Sequence, residues 1–174
     1  MSSQHIRSHA AKSPDRPAVI MAGSGETRSY GELSSNANRC ARMLRESGVR
    51  PGDRIALLME NRPEFLEICW AAINSGLFFV PVSTHLKSSE ITYVLSDCGA
   101  ELLFCSDRTA PLVEAARGQC GRLKTVINVD APGEYARALL EQPDEPLAKE
   151  RRGAPMVYSS GTTGRPKGIV PVAD

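Results

Sequence analysis

The sequence predicts an α/β fold, a mostly parallel sheet flanked by helices, and three observations predict it. Short runs rich in β-branched and aromatic residues alternate with longer stretches of helical periodicity. Glycine or proline punctuates most junctions between them, as at Gly48, Pro51-Gly52, Gly76 and Gly99. The helical stretches have the length of crossover helices in strand–helix–strand units, the pattern that gives a largely parallel sheet. The sheet is expected to be incomplete, its remaining strands lying beyond residue 174.

Taken in order, residues 4–12 suit a short helix closed by Ser13-Pro14-Asp15. Residues 18–21 and 27–30 read as two strands across a Gly23-Ser24-Gly25 turn. Leu33, Ala37, Cys40 and Leu44 then recur at helical spacing, and Gly48 stops that helix. After the Pro51-Gly52-Asp53 turn, Ile55–Met59 is a buried strand. Pro63 opens the next helix at its first position, with Phe65, Leu66, Cys69, Ala72 and Ile73 as its inner face. The run LFFVPV (77–82) is a strand, 89–97 a helix stopped near Gly99, 101–105 a strand and 111–119 a helix. Residues 123–129 form a strand, 133–141 a weaker helix and 142–153 a polar, proline-bearing surface linker. A strand over 154–158 follows, and Gly168-Ile169-Val170 begins another.

Bulk properties narrow the function. At 174 residues the chain is long enough for one domain with a real core. A hydrophobic content of 41%, a charged content of 24% and a net charge of +1 fit an ordinary globular protein. That balance gives no footprint for nucleic acid or for an anionic membrane surface. The leading MSSQHIRSHAAKSPDRPA lacks an apolar core and cleavage pattern, and no apolar run is long enough to span a bilayer. A cytoplasmic location is expected. Five cysteines, at 40, 69, 98, 105 and 120, show no C-x-x-C spacing and read as reduced thiols.

The chemistry concentrates in YSSGTTGRPKGIV, residues 158–170. Glycines expose backbone N–H groups and allow close approach, hydroxyls add rotatable donors, and Lys167 supplies a mobile cation. Those are the ingredients of a phosphate cradle; a solvated strand connector is the plain alternative. A P-loop is excluded, because Pro166 stands where it needs glycine and Gly168 where it needs a hydroxyl. Nor does Gly23-x-Gly25 make a dinucleotide fingerprint, since Arg28 occupies the third glycine position. His5 and His9 are four residues apart but lack a third ligand, so they read as surface residues rather than a metal clip. His85 reads as a structural loop residue, Trp70 and Phe65 as core, and Lys149-Glu150-Arg151-Arg152 as a solvated run.

The stretch Tyr158-Ser159-Ser160-Gly161-Thr162-Thr163-Gly164-Arg165-Pro166-Lys167-Gly168 resembles the signature loop of the adenylate-forming (AMP-binding) enzymes. These include acyl-CoA synthetases, luciferases and amino-acid-adenylating domains. PDRPAVI (14–20), SYGELSSNANRCARML (29–44), residues 48–82 and residues 85–104 resemble that family's amino-terminal region in the same order. Thr162 leans the resemblance toward acyl-CoA synthetases, since amino-acid-adenylating domains often carry serine there. The resemblance implies a two-step reaction. ATP and a carboxylate, a fatty acid by that lean, give an acyl-adenylate and pyrophosphate; coenzyme A then takes the acyl group. It implies Ser159, Ser160, Gly161, Thr162, Thr163, Gly164 and Lys167 as nucleotide-contacting residues, with Lys167 and Thr162 catalytic. It implies ATP, Mg2+ and coenzyme A as cosubstrates, a small-molecule carboxylic acid as partner, and no protein metal site.

The family's Tyr-Gly-x-Thr-Glu motif, its ribose-binding Thr-Gly-Asp, its hinge and its late catalytic lysine are not found in these 174 residues. The chain is therefore expected to be a truncated amino-terminal region of an AMP-binding domain, ending just after the loop at 158–168, without the carboxy-terminal domain. Alone it is expected to be inactive, and to associate through apolar surface that missing strands would cover. A catalytically inactive remnant or nucleotide-binding fragment is the alternative, with an amino-acid-adenylating domain behind it.

Overall fold

A computed structural model describes residues 5–159 and 165–171. Helix α1 (Ile6–Lys12) leads into a hairpin of β1 (Pro17–Ile20) and β2 (Thr27–Ser29), then α2 (Tyr30–Glu46). From there strands and helices alternate: β3 (Arg54–Leu58), α3 (Pro63–Asn74), β4 (Phe78–Pro81), α4 (Ser88–Cys98), β5 (Leu102–Cys105), α5 (Ala110–Arg117), β6 (Thr125–Asn128) and α6 (Glu134–Leu140). The described chain closes with β7 (Ala154–Pro155), β8 (Val157–Ser159) and β9 (Lys167–Ile169).

Five strands form one parallel sheet in the order β6-β5-β3-β4-β7. Period-two alternation divides its side chains between two cores. Ile55, Leu57, Leu102 and Phe104 point into the layer of α2, α3 and α6. Ala56, Leu58, Leu103 and Cys105 point into the layer of α4 and α5. Both faces of the sheet are thus covered, as the apolar strands require. Burying a side chain such as Leu57 stabilises the fold by roughly 2–3 kcal/mol relative to exposing it.

Local chemistry explains where the elements begin. Ser29 accepts from the Glu32 amide while Glu32 accepts from the Ser29 amide, a capping box at the start of α2. Pro63 occupies the first turn of α3, where no N–H is needed. Gly99 ends α4 in the left-handed conformation.

Several expectations from the sequence are corrected. The strand expected over 154–158 breaks at Met156: β7 joins the parallel sheet, and β8 pairs antiparallel with β9 instead. Leu66 points outward, because its place on α3 lies off the stripe that holds Ile68, Ala71 and Ala72 in the core. The segment 142–153 is a strap rather than a free linker: Leu147 is buried, and the carbonyls of Asp144, Glu145 and Lys149 accept from Asn38, Arg42 and Arg45 on α2. Within it Glu150 pairs with Arg7 and Arg151 bridges to Ser75, so that run is not simply solvated. Finally, the two histidines serve packing. His5 bonds Asn74 at 3.0 Å and sets its edge against Trp70, and His9 stacks on Tyr30. Trp70 itself is half-buried, packed against the small core of Ile6, Val19, Leu33 and Ala37. The five cysteines are buried and free.

Candidate functional site

The site is a hairpin hung from the edge of the sheet. Ala154 donates its amide to the Leu77 carbonyl just before β4 and Met156 to Phe79 in β4, so the N–H that Pro155 lacks would have faced away from the sheet. One residue beyond β7, the chain turns into β8. In that hairpin Val157 faces Ile169, Tyr158 faces Gly168, and Ser159 faces Lys167. Alternation gives the hairpin two sides. Tyr158 and Gly168 turn inward; Val157, Ser159, Lys167 and Ile169 are exposed on the other side.

The inner side docks on α4. The Tyr158 hydroxyl donates to Asp97 Oδ2 at 2.6 Å, and the Tyr93 hydroxyl donates to the Pro166 carbonyl at 3.0 Å. The Arg165 guanidinium lies over the Tyr93 ring, 5.5 Å from its centre. Burial and the adjacent Asp97 carboxylate together push the Tyr158 phenol well above its ordinary range, so it stays protonated and a donor. A Cβ on Gly168 would lie 2.3 Å from the Met156 methyl and 3.1 Å from the Tyr158 ring, so a larger residue would have to displace both side chains. The glycine is what lets the tyrosine lie across the hairpin.

Of the residues singled out from sequence, Ser159 and Lys167 are brought together as cross-strand partners with exposed side chains. Ser160, Gly161, Thr162, Thr163 and Gly164 lie outside the described residues. The supporting pair Tyr93 and Asp97 escaped the sequence reading. Their spacing of four on a helix puts them on one face, but nothing in the sequence says what that face meets. His85 is exposed in the connection between β4 and α4, its amide bonded to Ser83 Oγ. Among the described residues no three histidine, cysteine or acidic side chains gather as a metal site, and no helix is long and apolar enough to cross a membrane.

A parallel sheet between two helical layers thus carries at its edge a hairpin with an exposed hydroxyl and an exposed lysine. Residues 6–171 match the model of the AMP-binding enzyme family, and the chain belongs to that family. It is 36% identical over 171 residues to the long-chain-fatty-acid–CoA ligase FadD13 of Mycobacterium tuberculosis, a match covering 95% of this chain and 33% of that protein. It is 40% identical over 161 residues to a feruloyl-CoA synthase of an Amycolatopsis species, covering 92% of this chain and 31% of the relative. Its fold matches the inhibitor-bound N-terminal domain of FACL13 from Mycobacterium tuberculosis with a TM-score of 0.86 and 32% identity, covering 95% of this chain and 42% of that one. The chain thus spans about a third of the length of the curated relatives it matches.

Proposed function

We propose that this chain carries the ATP-phosphate loop of an acid–CoA ligase that activates a carboxylic acid as its acyl-adenylate and then passes the acyl group to coenzyme A. The observation that carries the reading is the pairing of Ser159 with Lys167, which sets a hydroxyl and a cation on one exposed side at the two ends of the glycine-rich stretch. That donor set fits a polyphosphate. Magnesium would accompany the nucleotide, and coenzyme A would arrive for the second step.

In this reading Lys167 holds the β- and γ-phosphates and stabilises charge as pyrophosphate departs. Ser159, Ser160, Thr162 and Thr163 add hydroxyl donors, and Gly161 and Gly164 allow the backbone to approach. Lys167 and Thr162 are the proposed catalytic residues. The substrate class is a fatty acid, supported by the long-chain ligase among the relatives. An aromatic acid is the second reading, favoured by the 40% identity to the feruloyl-CoA synthase. The 174 residues read as the leading part of the AMP-binding domain, acting in the cytoplasm. By themselves they hold the leaving group without aligning the carboxylate on the α-phosphate, and that alignment accounts for several orders of magnitude in rate.

Two measurements test this. Calorimetric titration of the 174-residue chain with MgATP should show binding, weakened at least about tenfold by Lys167→Ala. Absence of binding would overturn the phosphate-loop reading. Incubation with ATP, magnesium, dodecanoate or ferulate, and hydroxylamine should give no hydroxamate from the chain alone. A longer AMP-binding enzyme carrying these residues as its leading part should give it, with the favoured acid naming the substrate class.

A further inference from the structure

We propose that helix α4 sets the geometry of the phosphate hairpin, with Tyr93 and Asp97 acting as positioning residues for Lys167. This rests on the phosphate-loop reading above and adds to it two residues outside the loop.

A hairpin of two three-residue strands has little stability of its own in water. Something must hold β8 and β9 in one orientation if Lys167 is to meet a phosphate at a fixed place. The sheet does so at one end, through β7 and the packing of Tyr158 on the core beside it. On the inner side, the docking bonds come from a single face of α4. Asp97 takes the Tyr158 hydroxyl at 2.6 Å, a hydrogen bond to a charged acceptor and therefore short. One turn earlier, Tyr93 gives its hydroxyl to the Pro166 carbonyl and its ring to the Arg165 guanidinium. The two anchors are distributed between the strands. Asp97 fixes the strand that ends in Ser159, and Tyr93 fixes the chain at the residue just before Lys167.

Register then transmits the anchoring. Because Tyr158 is held inward, its neighbour Ser159 must point outward. Because Gly168 sits opposite Tyr158 and faces inward with it, its neighbour Lys167 must point outward too, beside Ser159. Undocking Tyr158 or Pro166 would leave both exposed groups in the molecule but no longer in one place. Asp97 is itself exposed, and Tyr93→Phe keeps the ring that packs against the core of α4 and α5, so neither replacement removes a core contact. The contacts fit a strut whose purpose is orientation.

The test combines hydrogen exchange with the MgATP titration, on the 174-residue chain and its Tyr93→Phe, Asp97→Ala and Asp97→Asn variants. Tyr93→Phe keeps the ring beneath Arg165 and removes only the bond to Pro166. Asp97→Asn keeps an acceptor for Tyr158 and serves as the conservative rescue. Exchange across residues 157–159 and 165–169 should accelerate roughly five- to tenfold in Tyr93→Phe and Asp97→Ala, with β3 and β5 unchanged. MgATP affinity should fall in the same two variants and be largely restored in Asp97→Asn. Unchanged exchange would show that α4 does not hold the hairpin. Faster exchange with unchanged affinity would reduce the contact to a structural strut and overturn the positioning role. A parent chain that binds no MgATP overturns the phosphate-loop reading instead, and this proposal falls with it.

Discussion

Ser159 and Lys167 are register partners, the last residue of β8 facing the first of β9 across an antiparallel pair. The glycine-rich stretch between them is therefore closed by a backbone ladder rather than left open at its ends. Lys167 makes that pairing with its main chain and leaves its side chain exposed. Lys167→Ala should accordingly leave thermal stability within about 0.5 kcal/mol of the parent while weakening MgATP binding. A larger stability loss, read by thermal melting, would assign the lysine a packing role.

Two glycines near the site should behave differently. A Cβ on Gly153 would lie 2.2 Å from the Leu77 carbonyl oxygen and 2.5 Å from that of Ala72, both fixed backbone. Gly153→Ala should therefore cost several kcal/mol, of the order reserved for severe overpacking, and disrupt β7. Gly168→Ala meets side chains, the Met156 methyl and the Tyr158 ring, which can yield. It should cost about 1–2 kcal/mol at most and act chiefly by pushing Tyr158 off Asp97. Urea unfolding of the two variants checks the order.

Glu67 should make stability depend on pH. It is 2% exposed, and burial is the main reason its carboxyl lies above the ordinary carboxylate range; the Asn36 amide and Arg28 partly offset this. The folded chain thus holds this proton more tightly than the unfolded chain does. The sign follows: this contribution is full below the ordinary value of about 4.5 and is lost as pH rises through the folded value. Glu67→Gln, which retains an acceptor for Asn36, should flatten the stability-versus-pH curve across that window in denaturant melts.

The thiols should be slow to react. Burial pushes Cys69 up to about 12 and Cys98 and Cys105 up to about 11, and Cys40 is raised further still. Iodoacetamide at neutral pH should modify these four at least about 100-fold more slowly in the native chain than in urea. Fast labelling of any one, located by mass spectrometry, would show that its surroundings open.

The outward side of the hairpin carries Val157 at 52% and Ile169 at 57% exposure, as direct partners. Such a pair exposed on a short hairpin should promote self-association. Sedimentation should show mass rising with concentration, reduced by Val157→Thr together with Ile169→Thr. A monomer at all concentrations would remove this surface as an interface.

Most of the frame was legible because its signals are local. Helical spacing from Leu33 to Leu44, Pro63 as a helix opener and Gly99 as a helix stop each determine an element within a few residues. The break at Met156 was not legible. It depends on β7 finding the edge of β4 while β8 finds β9, partners that lie 70 or more residues away in one case and about ten in the other. The strap over α2 was missed for a related reason: its polar composition is that of a linker, yet its carbonyls meet arginines roughly 100 residues earlier. At the candidate site, Ser159 and Lys167 stood out in the sequence by residue type, and the structure pairs them with exposed side chains. The support from Tyr93 and Asp97 did not stand out, since only the fold brings α4 under the hairpin.

The strand order β6-β5-β3-β4-β7 has a consequence for the order of assembly. Four of the five strands, β3 to β6, pair with one another using nothing beyond residue 128. A chain emerging in sequence can therefore close that sheet and pack its helices before β7 exists. The edge strand and its hairpin then add as the last unit, joined through two residue pairs with β4 and the Asp97 and Tyr93 bonds from α4. A unit that adds after the sheet is closed can also open without unpairing β3 to β6, so its opening costs less than unfolding the whole chain.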